Sequence, residues 1–203
     1  KSKGVKTHPI ELNNSSFNDV IQKISPDAVI YDRFITEEQF GWRVHESCPS
    51  CIHILDTQDL HFLRNCRKKA LDNKKPLDDI FSANISFHED FTYRELASIL
   101  RSDLCLVISD FEYDLLINQF NIPKKILTLL RFSYEDITKQ LSFEERNHFV
   151  MIGNFRHPPN ADSIHWIFNE IWPEIRKQLP EAEIHIYGAY PPKEFTQLTK
   201  IDK

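Results

Sequence analysis

Short apolar runs alternate along this chain with longer stretches of helical periodicity. The runs fall at residues 28–32, 52–56, 104–108, 126–130, 149–152 and 184–187. The run LCLVI at residues 104–108 is apolar at every position, which is typical of a strand buried on both faces of a parallel sheet. Because strands that alternate with helices are joined by right-handed crossovers, the pattern predicts an α/β fold built from parallel sheets.

Helices are predicted at residues 35–45 and 60–71. The segment 72–90 has no clear period, and it could contain either a short helix or an ordered loop. Two later helices are expected to begin with a capping box, in which a hydroxyl and a Glu three residues later bind free backbone N–H groups. The two boxes are Thr92 with Glu95 and Ser109 with Glu112.

The clearest helical period covers residues 164–179, where large apolar residues recur on one face. Pro173 lies inside this period. Because proline removes a backbone donor and clashes with the preceding turn, it is expected to kink or break the helix.

The composition is that of a globular protein. Of the 203 residues, 41% are hydrophobic and 15 are Phe, which is enough for a sizeable core. The net charge of −5 argues against a nucleic-acid binder and against a binder of anionic membranes, since both partners are bound by clustered Lys and Arg.

No apolar run approaches the roughly 18 residues that a transmembrane helix needs, whereas peripheral contact with a membrane is compatible with the sequence. Four cysteines are few for this length, so a reducing, cytoplasmic setting is expected.

A polar segment separates two groups of predicted elements. We expect an N-terminal domain at residues 1–134, a linker at residues 135–147 and the start of a C-terminal domain at residues 148–203. After the linker the sequence predicts two strands and one helix, and two strands seldom form a stable sheet alone. The second domain is therefore expected to be incomplete.

The segment directly after the second predicted strand carries two carboxylates. Asp56 and Asp59 flank Gln58, and His61 follows. Ligands of parallel sheets bind at the carboxyl ends of the strands, where carboxylates can hydrogen-bond sugar hydroxyls or accept a proton from an attacking hydroxyl. The alternative is structural, with Asp59 capping the next helix and Asp56 holding the turn.

The loop after the fifth predicted strand is a candidate phosphate site. Gly153 allows close approach of a phosphate, and Arg156 and His157 supply positive charge. A helix that opens near Asn160 offers N–H groups and the positive end of its dipole. An ordinary strand–helix loop is the alternative.

Asp32 and Arg33 at the end of the first predicted strand form a candidate acceptor surface, unless they serve to cap the next helix.

Cys48 and Cys51 have the spacing of a redox dithiol, but they precede a strand, whereas redox pairs normally follow one and open a helix. With His45 and His53 they are also candidate zinc ligands, although a second CxxC pair is lacking. Packing is the alternative to both. GxGxxG, P-loop, GxSxG, HExxH and DxD patterns are absent from the sequence, which argues against the corresponding dinucleotide, phosphate, hydrolase and metal sites.

An ordered series of these segments resembles glycosyltransferases of the GT-B fold, in the broad group related to glycosyltransferase family 4. The resemblance covers most of residues 20–190. The segments that carry it are Pro26-Asp27-Ala28-Val29-Ile30, Asp56-Thr57-Gln58-Asp59-Leu60 with Arg64 and Arg67, Arg94-Glu95-Leu96, Asp103-Leu104 through Ser109 with Glu112, and Gly153-Asn154-Phe155 with Pro159-Asn160, Trp166, Trp172-Pro173, Ile175 and Pro180.

The resemblance implies two Rossmann-like, doubly wound domains that face each other across a cleft, both incomplete at the chain ends. In this family the second domain binds a nucleotide-sugar donor, and the first presents a carbohydrate, lipid or protein acceptor. Most relatives retain the configuration of the sugar and need neither a metal nor a further cofactor. The implied roles are catalysis for Asp59 and Gln58 with Asp56 in support, donor binding for Gly153, Asn154, Arg156 and Gly188, and acceptor contacts for Asp32, Arg33 and Arg64.

Two departures from the family pattern bear on activity. Many relatives have His where this chain has Gln58, and an amide cannot act as a base. The family's Gly-rich first loop is expected before Lys1 and its paired donor-binding Glu residues after Lys203, so the chain as given is expected to be nearly inactive. A sugar-nucleotide epimerase of the same fold and a non-catalytic binding module are the alternative functions.

Overall fold

The computed structural model describes residues 4–134, 141–191, 193 and 195. The chain divides into two compact units, Lys1–Tyr134 and Glu135–Lys203, which we call unit 1 and unit 2. Each unit combines helices with parallel strands, which confirms the predicted α/β class and the parallel sheets. Of the predicted linker, residues 135–140 lie outside the described residues, and residues 141–147 are exposed.

Unit 1 alternates strands with helices. Its elements are α1 (Ser16–Ile24), β1 (Ala28–Asp32), α2 (Phe34–Ser47), β2 (Ile52–Asp56), α3 (His61–Asp72), α4 (Leu77–Phe81), α5 (Asp90–Arg101), β3 (Leu104–Val107), α6 (Asp110–Asn118), a 3₁₀ turn (Lys124–Ile126) and β4 (Leu127–Leu129). The strands form one parallel sheet in the order β1-β2-β3-β4. Because Asp32 pairs with Asp56 in the register, the carboxyl ends of β1 and β2 are adjacent.

The described strands of unit 1 are wound in one direction only. Successive right-handed crossovers in the same direction place their helices on one face of the sheet. Tyr31, Leu55 and Val107 are buried on that face, whereas Ile30 and Ile52, which point the opposite way, are more than half exposed. A doubly wound sheet needs a reversal of strand order, which the strands described for this unit do not show.

Three phenylalanines fix the start of α3 against neighbouring segments. Phe62 of α3 meets Phe87 and Phe120 edge to face, with ring centroids 5.8 and 5.3 Å away, and the last two rings lie 5.6 Å apart. Edge-to-face pairs stabilise by about 0.5–1.5 kcal/mol each beyond their burial. The cluster therefore holds the first turn of α3 against the segments before α5 and after α6.

The predicted strands are present, and their ends differ from the prediction by one or two residues at most. Helix α1 was not predicted. It is short, and its buried residues Phe17 and Ile21 lie one turn apart. The Phe17 ring packs 4.7 Å from that of Phe40 on α2. Among the described residues, no helix combines the length and the apolar character that crossing a bilayer requires.

Of the two predicted capping boxes, one is wrong, and the other is confirmed only for its serine, because the Glu112 carboxylate accepts from the Leu60 N–H before α3. Ser109 does cap α6, because its hydroxyl accepts a hydrogen bond from the Glu112 N–H at 3.2 Å. Helix α5, however, begins at Asp90, so Thr92 lies inside the helix and is buried. The Glu95 carboxylate turns away from its own helix and accepts hydrogen bonds from the start of α3.

Unit 2 contains β5 (His148–Asn154), α7 (Pro158–Trp166), a π-helical segment (Ile167–Ile171), α8 (Trp172–Gln178) and β6 (Glu183–Ala189). β5 and β6 pair in parallel, with Gly153 opposite Gly188. Pro173 interrupts the long predicted helix as expected. Because Pro173 cannot donate a backbone hydrogen bond to the preceding turn, the helix widens into the π segment immediately before it.

Candidate functional site

A pocket of about 430 Å³ lies at the adjacent carboxyl ends of β1 and β2. We call it the β1–β2 pocket. Its lining residues are Asp32, Arg33, Gln58, Asp59, His61 and Arg64. The structure thus brings together the residues for which sequence reasoning proposed catalytic and acceptor roles, apart from Asp56, which is not among the lining residues.

Asp56 holds the turn that carries Gln58. Its carboxylate accepts hydrogen bonds from the Gln58 backbone N–H at 3.2 Å and from the Gln58 side-chain amide at 2.7 Å. The Asp59 N–H donates to the Thr57 carbonyl at 2.7 Å and closes a three-residue turn around Gln58, whose φ is 61°. Asp56 therefore does what the structural alternative expected of it, and it orients the Gln58 amide at the same time.

Thr57 anchors this turn to the sheet. Its side chain is buried, its hydroxyl donates to the Leu106 carbonyl at 2.9 Å, and its backbone N–H donates to the same oxygen at 3.2 Å. The β2 end of the pocket is thereby tied to β3. Sequence reasoning assigned Thr57 no role, although a threonine directly after a buried strand is suited to bond a neighbouring strand in this way.

The Asp59 carboxylate binds side chains and does not cap α3. Its Oδ1 lies 3.2 Å from Nε2 of His61, and its Oδ2 lies 3.1 Å from Nη1 of Arg64. The side chain is 35% exposed, so it stays accessible from the pocket. The capping alternative is therefore wrong for Asp59, whose carboxylate is oriented toward pocket residues.

His61 is a buried imidazole at the edge of the pocket. Burial lowers its pKa, and the Asp59 carboxylate opposes this only in part. His61 is therefore neutral at neutral pH, and its Nε2 carries the hydrogen because the Asp59 oxygen is an acceptor. The edge of the ring packs against Phe34 with centroids 5.8 Å apart, which fixes its orientation. The sequence motif ended on His61, but no role had been assigned to it.

Arg33 and Asp32 form a two-point ion pair on the other wall of the pocket. Arg33 Nη2 lies 3.0 Å and Nε 3.2 Å from the Asp32 carboxylate, which lowers the pKa of Asp32. Arg33 adopts φ 68° and ψ 157°, a conformation that is essentially restricted to glycine. An arginine in such a conformation is a strained residue, and strained residues concentrate at functional sites.

The loop after β5 in unit 2 satisfies its own backbone. The N–H groups of Phe155, Arg156, His157, Asn160 and Ala161 all donate to oxygens of unit 2. The two intervening residues are prolines, which carry no N–H group. The helix begins two residues earlier than expected and presents no free N–H of this stretch to a phosphate, so side chains would have to bind one.

The predicted donor-binding residues of unit 2 divide into two groups. The Arg156 guanidinium stacks on the Tyr190 ring at 3.6 Å, and the Asn154 side chain accepts from the Arg156 N–H at 3.1 Å. The two glycines serve packing. A Cβ added to Gly153 would lie 3.2 Å from the Asn160 side chain, and a Cβ added to Gly188 would overlap the Gly153 carbonyl oxygen. Glycine is therefore required at position 188 by the β5–β6 pair itself.

A cavity of about 590 Å³ also lies in unit 2, between its helices and β6. Phe155, Ile164, Phe168 and Trp172 contribute to its apolar wall. Gly188 is the one predicted donor-binding residue that lines it. The cavity continues the small core of unit 2, and its polar lining residues are Arg176, Glu181, Glu183 and His185.

Cys48 and Cys51 are buried, reduced residues of unit 1. Their thiols point at the carbonyl oxygens of Pro26 and Ile52, each at 3.6 Å. Burial raises the pKa of Cys51, which opposes formation of the thiolate that redox exchange needs. Within the described ranges, no cluster of three His, Cys, Asp or Glu side chains could hold a metal ion. These observations favour packing for the cysteine pair.

Comparison of the chain with protein-family models, with curated proteins and with solved structures yields no significant match.

Proposed function

We propose that this protein transfers a sugar from a nucleotide-sugar donor to an acceptor hydroxyl, and that the β1–β2 pocket is its acceptor site. The observation that carries the proposal is the state of Asp59. Its carboxylate is not used to cap α3, it is held at both oxygens by His61 and Arg64, and it borders a pocket at the carboxyl end of a parallel strand. The ordered resemblance to glycosyltransferases supports the same assignment.

The charges of the pocket suit a neutral, polyhydroxylic ligand. Two carboxylates, Asp32 and Asp59, are each paired with a guanidinium, from Arg33 and Arg64. The charges of the two pairs cancel, so they offer an anionic ligand no net positive charge. Sugar hydroxyls can donate to the free lone pairs of these carboxylates and accept from the Gln58 amide without breaking either pair.

In the proposed reaction, an acceptor hydroxyl donates a hydrogen bond to Asp59 while its oxygen attacks the anomeric carbon of the donor. The bond from the sugar to the nucleoside diphosphate breaks, and its electron pair leaves with the phosphate oxygen. The proton goes to Asp59 or to that departing oxygen. His61 and Arg64 keep the carboxylate aimed during this step, because each binds one of its two oxygens.

For the donor, the proposal relies on side chains of unit 2. Arg156 is held against the Tyr190 ring, which leaves the edge of its guanidinium free to bind phosphate oxygens in two-point fashion. The Asn154 amide stands next to it. Backbone N–H groups of this loop contribute little, since they are already bound within unit 2.

A binding role without transfer is the second candidate. It is favoured by Gln58, whose side-chain amide donates to Asp56 at 2.7 Å and cannot accept a proton as a base would.

Calorimetry with UDP-, GDP- and ADP-sugars, together with detection of released nucleotide in the presence of mono- and oligosaccharides, tests the proposal. Transfer predicts binding of a donor, release of its nucleotide and backbone amide shifts at Gln58, Asp59 and Arg64 on addition of the saccharide. Binding of saccharide without any nucleotide release would support the non-catalytic role. Absence of heat with every nucleotide sugar, and of shifts with every saccharide, would sink both.

A further inference from the structure

The start of α3 is held by two carboxylates that come from other helices. The Leu60 N–H donates to Glu112 of α6 at 2.9 Å. The His61 and Phe62 N–H groups donate to the two oxygens of Glu95 of α5, at 3.1 and 2.7 Å. Glu95 is 1% exposed and Glu112 is 8% exposed. Free N–H groups at the start of the helix are thus satisfied by residues 33 to 52 positions away in the sequence.

This arrangement differs from the usual way of capping a helix. A Ser, Asp or Asn at the N-cap would bind the N–H of the second or third helical residue locally, whereas here Leu60 occupies that position. Burying two carboxylates is unfavourable unless hydrogen bonds and the positive end of the helix dipole compensate for it. A local cap would stabilise the helix more simply, so stability alone does not explain the choice of Glu95 and Glu112.

The consequence of the remote cap lies at Asp59. Since Glu95 and Glu112 bind the N–H groups that Asp59 would otherwise approach, the Asp59 carboxylate is available to the pocket. The same Glu95 oxygen that binds the His61 backbone fixes the residue whose imidazole binds Asp59. Glu112 is itself oriented by Ser109, whose hydroxyl donates to its second oxygen at 3.0 Å.

We infer that Glu95 and Glu112 are positioning residues for the β1–β2 pocket: they set where α3 begins and thereby hold the Asp59–His61 pair in place. The acceptor role of that pair rests on the proposed function, whereas the anchoring does not. The titratable groups that face Glu95 are Asp59, Glu112 and the Cys105 thiol of β3. Burial raises the pKa of Glu95 to about 7, so the anchor also changes its protonation near neutral pH.

The test uses the variants Glu95→Gln and Glu112→Gln, with Glu37→Gln as the matched control. Glu37 is a buried carboxylate of α2 whose partner is Arg101, so its loss disturbs unit 1 without touching α3. The readout is the NMR spectrum of the His61 imidazole and of the backbone amides of residues 58–62, in protein whose fold is verified by near-ultraviolet circular dichroism.

Expected is that Glu95→Gln and Glu112→Gln shift the pKa and the tautomer signals of His61 and move the Asp59 amide resonance, while Glu37→Gln leaves them in place. Unchanged His61 and Asp59 signals in both folded variants, or equal changes in the control, would overturn the inference. Should a variant not fold, the unaltered protein is titrated instead. The amide resonances of His61 and Phe62 must then change with pH at the same midpoint as the carboxyl carbon resonance of Glu95. Different midpoints would refute the anchoring.

The effect of these variants on sugar transfer is measured separately from their NMR spectra. If the protein transfers sugar, Glu95→Gln should lower turnover at least about tenfold while KM for the nucleotide sugar stays within about twofold, because the donor does not contact α3 in the proposal. If the protein transfers no sugar, the proposed function fails and the NMR comparison still decides whether Glu95 and Glu112 position the Asp59–His61 pair.

Discussion

The Asp59 carboxylate and the His61 imidazole meet at 3.2 Å, while the backbone N–H of the same histidine turns the opposite way and donates to buried Glu95 at 3.1 Å. His61 therefore joins the pocket to the core of unit 1. Its main chain belongs to the remote cap of α3, and its side chain orients the carboxylate for which we propose the acceptor role.

Asp59→Asn should lower sugar transfer by well over tenfold without unfolding the protein. The amide keeps the size of the side chain, but it loses the negative charge that orders His61 and Arg64 and that receives the acceptor hydroxyl. Because Asp59 does not cap α3, the free energy of unfolding should change by less than about 1 kcal/mol. Transfer assays and urea titrations measure the two effects.

The matched control is Asp110→Asn, which neutralises an exposed carboxylate paired with Arg131 outside the pocket. This variant should transfer sugar at the rate of the unaltered protein. Normal turnover in Asp59→Asn would remove Asp59 from the proposed mechanism.

Arg33→Gly should be more stable than Arg33→Ala by about 1–3 kcal/mol, because glycine alone adopts the backbone conformation of this position without strain. Both variants lose the guanidinium that pairs with Asp32, so both should bind the acceptor less tightly to a similar degree. Urea unfolding compares the stabilities, and saccharide titration compares the affinities. Equal stability of the two variants would show that position 33 is not strained.

Thr57→Val should destabilise unit 1 by about 1–2 kcal/mol, since valine keeps the shape of the side chain but cannot donate to the partly buried Leu106 carbonyl. The exposed Thr128 of β4 provides the control, and Thr128→Val should change the free energy of unfolding by less than about 0.5 kcal/mol. Denaturation of both variants, followed by far-ultraviolet circular dichroism, measures the difference. Two equal values would mean that the Thr57 hydroxyl contributes nothing measurable.

The strands of this fold were predictable because each is a short apolar run, and burial on a parallel sheet requires such a run. The capping boxes show where local patterns stop being informative. Thr92 with Glu95 and Ser109 with Glu112 share one spacing, yet only Ser109 caps its own helix, and the carboxylates of Glu95 and Glu112 both bind the start of α3. The Glu95 carboxylate caps α3 by accepting from the Phe62 N–H, 33 residues away in the sequence. A rule based on neighbouring residues cannot predict such a contact.

The candidate site was predictable to a similar depth. The sequence placed Asp32, Arg33 and Asp59 at the carboxyl ends of strands, and the structure adds that the two strands are neighbours in the sheet. The alternative roles of Asp59 could not be separated from the sequence, because a carboxylate before a helix suits both capping and catalysis. Only the positions of Glu95 and Glu112 show that the cap comes from elsewhere. The catalytic assignment itself stays a prediction.

Gly188→Ala should loosen the β5–β6 pair, because the added methyl group would overlap the Gly153 carbonyl oxygen and also crowd the Phe155 ring. Overpacking of this kind typically destabilises by about 1–3 kcal/mol. Amide hydrogen exchange should accelerate along β5 and β6 and stay unchanged in β2 and β3. Gly153→Ala, whose new methyl would approach the Asn160 side chain at 3.2 Å, should have the smaller effect. The reverse order would contradict the packing roles assigned to the two glycines.

Glu95 should make the stability of unit 1 depend on pH. Burial raises its pKa from 4.5 to about 7. Between these values the folded protein keeps the proton that the unfolded chain releases, so folding becomes less favourable as the pH rises. The contribution of Glu95 is therefore fully present below pH 4.5 and is lost as the pH passes about 7, a change on the order of 3 kcal/mol.

Glu95→Gln, which cannot titrate, isolates this contribution. Urea unfolding of both proteins at several pH values from 4.5 to 8 should show the difference in unfolding free energy moving in favour of the variant as the pH rises, with most of the change complete near pH 7. Groups that titrate identically in both proteins, such as exposed histidines, cancel in the comparison. Parallel stability curves would mean that Glu95 is already ionised at low pH, which would occur if the N–H groups of α3 stabilised its charge more strongly than burial opposes it.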